Sequence, residues 1–119
     1  MAKIKIISLD DTDNIIIQIG DKKLEAMISV ALYNLKEGEE YDAELTFYMF
    51  GDFKLQLAAN ERYDITHIEN YSYAITGKMI DSETIDVGFS ISSEWLADYS
   101  YLVGQYVTCK LDRLEVNFL

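Results

Sequence analysis

The sequence predicts an all-β protein, an antiparallel small barrel or sandwich of seven to eight hairpin-connected strands with one short helix near residues 93–99. Three observations carry this. Apolar residues recur at every second position in several short runs, and side chains alternate faces along a strand. The runs are separated by Gly, Asn and Asp, the residues that make tight turns without proline, and proline is absent from all 119 residues. Half of the residues are hydrophobic, enough for a core that needs no disulfide or metal. A chain of this length is read as a single domain, 1–119.

Residues 3–9 (KIKIISL) alternate Lys3 and Lys5 with Ile4 and Ile6 and open the fold as a strand. Residues 10–14 (DDTDN) form a turn. Residues 15–19 (IIIQI) are a β-branched run and pair back as the first hairpin. Gly20 and Asp21 turn the chain into residues 24–33, which fit both a helical and a strand spacing. A strand is favoured, because Lys22 and Lys23 would stand at the positive N-terminal end of a helix.

Residues 37–51 (EGEEYDAELTFYMFG) are the most patterned stretch. Tyr41, Ala43, Leu45, Phe47 and Met49 share one face. The other carries Asp42, Glu44, Thr46, Tyr48 and Phe50, acidic at the start and aromatic at the end. Residues 53–58 are expected to return as its hairpin partner. Residues 63–69 (YDITHIE) make a short strand. Residues 71–80, with Gly77 at a bulge or a close backbone approach, form a third hairpin with residues 85–91. Ser93 can cap a short helix in which Trp95, Leu96 and Tyr99 form one face. Residues 106–119 end the chain as a strand or strand pair whose apolar phase shifts after Asp112 and Arg113, which marks a bend. A helix inserted before the last strand is similar in architecture to small Greek-key barrels of the OB type, although no motif of a known family accompanies it.

Composition narrows the function. With 21 acidic against 10 basic side chains the formal net charge is -11. That disfavours nucleic-acid phosphates and anionic membranes and favours basic partners. The single cysteine forms no intramolecular disulfide, and the N-terminal residues are too polar for a signal peptide, so the expected compartment is the cytoplasm. No apolar run approaches the length of a membrane span.

Chemistry-bearing clusters are sparse. Asp10, Asp11 and Asp13 could offer oxygens to a calcium ion, yet the further ligands and the glycine of a calcium loop are missing, and an acidic hairpin turn is the simpler reading. His67 is the only histidine and Cys109 the only thiol. A strand histidine and a buried cysteine within the core are expected rather than a catalytic pair or a metal site. No phosphate loop, nucleophile elbow or paired-cysteine motif is present, so neither an enzyme nor a cofactor is expected.

Nine tyrosines and five phenylalanines could stack bases, but stacking platforms lie in basic grooves and these aromatics are interleaved with acid. Acid beside tyrosine suits a basic protein instead. The expected function is a non-enzymatic, immunity-like or inhibitor-like protein that recognises a basic protein partner through Glu37, Glu39, Glu40, Asp42, Glu44 and Tyr48. Two alternatives remain open: an assembly module that self-associates, as a homodimer for example, through a β-edge or aromatic face, and a small hydrolase-like enzyme using His67 with carboxylates.

Overall fold

A computed structural model describes residues 2–10, 12–31 and 34–119. They form eleven strands in one mixed sheet. The strands are β1 (Ala2–Leu9), β2 (Asn14–Ile19), β3 (Lys22–Val30), β4 (Glu40–Tyr48), β5 (Gln56–Leu57), β6 (Asp64–Glu69), β7 (Ser72–Asp81), β8 (Thr84–Asp86), β9 (Ser90–Ser92), β10 (Tyr106–Leu111) and β11 (Arg113–Phe118). A 3-10 helix, Glu94–Leu102, precedes β10.

Five of the strands close on themselves. β1 pairs with β2, β2 with β3, β3 with β11, β11 with β4, and β4 with β1. β1 closes the ring because its two halves serve different neighbours: Ala2 to Lys5 lie against β4, and Lys5 to Leu9 against β2. The contact between β3 and β11 is parallel and the others are antiparallel. This is a closed small barrel, with the five-stranded Greek-key form of OB-type barrels. Its interior is filled by the residues that alternation assigns to it: Ile4, Ile6, Ile15, Ile17, Leu24, Ala26, Ala43, Leu45, Phe47, Leu114, Val116 and Phe118. The ambiguous run after Gly20 is a strand, β3, and residues 32 and 33 at its expected end lie outside the described residues. Gly20 adopts φ +59 at the first position of the two-residue turn from β2, where a side chain would be strained.

The chain between β4 and β11 builds a second layer. β7 is its spine, flanked by β10 along one edge and by β6 and β8 along the other. β9 joins β8 and touches β4 in a parallel contact, Ile91 beside Leu45. One hydrophobic cluster runs through barrel and second layer alike.

Several expectations need correction. The strand number is eleven rather than seven to eight; one expected strand is broken in two, and the final stretch takes the strand-pair form that its phase shift allowed. Residues 85–91 split at Gly88 into β8 and β9, and residues 106–119 split at Asp112 into β10 and β11. The middle hairpin does not form: β4 pairs with β1, β11 and β9, whereas β5 pairs with β10. The physical reason lies at the turn. The Phe50 N–H donates to Asp112 Oδ2 at 2.9 Å, and the Phe53 ring folds back on Phe47 at 5.4 Å, so the chain leaves β4 sideways. The sheet is also mixed rather than purely antiparallel. The helix lies where it was expected, but as a 3-10 helix with a kink at Tyr99. Ser93 Oγ caps it by accepting the Trp95 N–H at 3.2 Å. Of its expected apolar face, Leu96 is fully buried and Trp95 is not.

Candidate functional site

The outer face of β4 gathers most of the residues singled out from the sequence. Glu40, Asp42, Glu44 and Tyr48 point outward in a row and are exposed. At the rise of an extended strand the row is about 27 Å long. Glu37 and Glu39 lie in the exposed connection before it. Each has a structural part there: Glu37 Oε1 accepts the Leu9 N–H at 2.9 Å, and the Glu39 carbonyl accepts the Ile6 N–H at 3.0 Å.

Register adds what the sequence does not display. Lys5 stands opposite Glu40 and Lys3 opposite Asp42, on the same outer face. Opposite charges directly across a ladder attract, so the upper half of the row is partly neutralised by β1. Glu44 faces Asn117 and keeps its charge uncompensated across the strand. At the lower end Tyr48 faces Arg113, whose guanidinium lies 5.0 Å from the Tyr48 ring centre and 5.3 Å from that of Phe50. Arg113 is held there by Glu115 Oε2 at 2.7 Å.

The row ends in an exposed aromatic cluster. Tyr48 packs on Phe50 at 5.6 Å and edge-on to Trp95 at 6.4 Å. Phe50 is 69% exposed, Tyr48 45% and Trp95 37%. Beyond Phe50 a cleft of about 370 Å³ is lined by Met27, Tyr71, Lys110, Asp112 and Arg113 among others. Trp95 is the site residue that alternation missed, whereas Phe50 lies on the outer side with Tyr48 as alternation placed it. Trp95 was expected to pack inward with Leu96, and only the helix geometry turns it toward Tyr48.

The remaining candidates are not brought together. Cys109 lies on β10 opposite Ile75, and His67 on β6 opposite Tyr73, on the two flanks of β7. Two ladder spacings across and two residues along the strand put them about 12 Å apart, too far for the pair to share a proton. Burial pushes the Cys109 thiol up to about 12, which leaves it protonated and unreactive near neutrality. His67 is exposed rather than buried in the core, which corrects the expectation for it. Its Nε2 donates to the Asn70 carbonyl at 2.8 Å, and its ring lies on Tyr73 at 5.2 Å. The pocket it lines holds one carboxylate, Glu25, beside Lys23, where hydrolytic acid–base chemistry would call for two acids. Asp10 is engaged within its own turn, accepting from Thr12 and Asn14, and the bonds from Thr12 hold its carboxyl below the usual range. Asp11 lies outside the described residues. Among the described residues no cluster of three or more acid, histidine or cysteine side chains is placed to hold a metal ion.

The full length of the chain, residues 1–119, matches the family described as uncharacterised conserved protein UCP019853. The chain belongs to that family. No curated protein and no solved structure matches it. Among the described residues no helix is long and apolar enough to cross a membrane. Membership of the family therefore brings no activity or partner with it, and the outer face of β4 is the surface from which a function has to be argued.

Proposed function

We propose that this member of the UCP019853 family is a non-enzymatic binding protein of the cytoplasm. It recognises a basic protein partner in the manner of immunity or inhibitor proteins, and not a nucleic acid or a membrane. The observation that carries this is the exposed Tyr48–Phe50–Trp95 cluster at the end of the acidic row on β4. Large aromatic side chains in water are costly to maintain, and rigid rings beside charge are what binding hot spots use. The row and cluster together have the length of a standard protein interface patch. The net charge of -11 supplies long-range attraction for a basic partner.

The test uses the native host's lysate and a photo-crosslinker placed at Tyr48, with one at Lys22 on the β2–β3 turn as control. The expected result is one basic protein trapped from position 48 and not from 22. Its association should slow at least tenfold in the E40K/D42K/E44K variant and lose most of its salt dependence. Trapping and association that ignore both the charge reversal and Tyr48→Ala would overturn the reading.

A second reading, self-assembly, has its own observation. Among the described residues β6 has a strand on one side only, and Ile68 on it is 45% exposed. Its carboxylates, Asp64 and Glu69, would oppose each other in an antiparallel self-pairing, which disfavours it. Light scattering separates the readings, since a stable dimer dispersed by Phe50→Ala or by Ile68→Lys would favour assembly.

A further inference from the structure

We propose that the cleft between the turn after β4 and the 3-10 helix receives an arginine side chain of the basic partner. This rests on the reading above and gives it a specificity pocket. The cleft measures about 530 Å³ and is lined by Gly51, Asp52, Phe53, Lys54, Trp95, Asp98 and Tyr99. It therefore presents three aromatic rings and two carboxylates in one concavity.

The walls are built rather than incidental. Phe53 packs on Phe47 at 5.4 Å and meets the Tyr99 ring edge-on at 5.8 Å. Tyr99 Oη donates to the Phe53 carbonyl at 3.1 Å, which ties the helix to the turn. Trp95 leans on Tyr48, so the cleft continues the β4 row. The carboxylates are free to bind. Among the described residues neither the Asp52 nor the Asp98 carboxylate has a hydrogen-bond or ion-pair partner. Lys54 lines the same cleft, is exposed, and is paired with neither acid.

The chemistry selects a guanidinium. A planar cation stacks on ring faces and takes carboxylate oxygens in its own plane, whereas an ammonium is a hydrated point charge. The same set of parts is already filled next door, where Arg113 lies over Tyr48 and Phe50 with Glu115 as its counter-ion. The cleft repeats those parts, rings and carboxylates, without a guanidinium from its own chain.

Trp95 is the only tryptophan, so its emission reports on this cleft and on the adjoining Tyr48 ring, and the D52N/D98N variant assigns the change to the cleft. The full chain is titrated with N-acetyl-arginine amide and, in parallel, with N-acetyl-citrulline amide, which has the same shape and no charge. The expected result is a saturable change in Trp95 emission with the arginine probe. Binding should be at least fivefold weaker for citrulline and at least fivefold weaker in D52N/D98N. Both acids are exposed, and circular dichroism verifies that the fold is kept. E40K/D42K/E44K should respond like the parent chain. No response, an equal response to citrulline, or a response that D52N/D98N leaves intact overturns the proposal. The two proposals fail separately: Trp95 blind to arginine in a protein whose partner still depends on Glu44 and Tyr48 removes the pocket and leaves the partner. An arginine response in a chain that traps no basic protein removes the partner reading.

Discussion

At the scale of residues, Tyr73 ties the two layers together. It is buried on β7, and its hydroxyl accepts the Glu25 N–H at 2.7 Å and donates to the Glu25 carbonyl at 3.1 Å. Glu25 lies on β3 before its pairing with β11 begins, so that stretch of backbone has no strand on that side. One phenol takes the place of the missing ladder. Tyr73→Phe should leave both backbone groups without a partner and cost about 1–3 kcal/mol, the usual penalty for unmade bonds in a part-buried site. Urea unfolding checks this, and a midpoint equal to that of the parent chain would show that water replaces the hydroxyl. None of this could be read from periodicity, which sets Tyr73 on one face with Ile75 and Met79 and says nothing of what its oxygen meets. The neighbouring Cys109 was legible: a lone cysteine that shares a strand face with Val107 and Leu111 is expected to be buried, and it is.

At the scale of elements, β7 and β8 meet closely because one residue between them has no side chain. A β-carbon on Gly77 would overlap the Asp86 carbonyl oxygen, and Val87 stands just beyond. Gly77→Ala therefore has to push β8 away from β7 and should cost about 1–3 kcal/mol, the range for forced overpacking. The obstacle is backbone, which cannot rotate aside. Thermal melting compared with Gly104→Ala, where a β-carbon meets open space but the φ of +91 is strained, separates crowding from backbone strain. A glycine inside an alternating run already signalled close approach in the sequence. The β10–β11 junction was legible in the same way, since buried residues fall at Val107, Cys109 and Leu111, then at Leu114, Val116 and Phe118. The phase shift at Asp112 marks the bend. It does not reveal that the bend carries the chain from the second layer into the barrel.

At the scale of the whole molecule, closure is what distinguishes this barrel from an open sheet. It depends on the first strand, where Ile4 is fully buried and residues 2–5 pair with β4. Deleting residues 1–5 should remove that seam, bare one edge of β4 and open the core. The expected outcome is loss of a sharp thermal transition together with binding of a hydrophobic dye, since an open edge and an open core are both exposed. A truncated chain that melts as sharply as the parent would mean that β2, β3, β4 and β11 suffice. The charge distribution is likewise a property of the whole. Lys3 and Lys5 partly balance Asp42 and Glu40 only because β1 closes on β4, and the row that looks uniformly acidic in sequence becomes a graded one.

The sequence by itself determined the fold class and which side chains face inward. Those follow from period-two alternation and turn residues, which are local and survive any choice of partner strand. It also determined the net charge and the one acidic-to-aromatic strand. Only the tertiary structure decided which strands pair, that β4 turns to β1 and β11 instead of β5, and that Trp95 faces outward beside Tyr48. Hydrogen-bond partners across a sheet are chosen by register between residues far apart in the chain, and alternation is blind to register. The cleft between Asp52, Phe53, Trp95 and Asp98 is of the second kind, because it exists only where a turn after β4 meets a helix more than forty positions later.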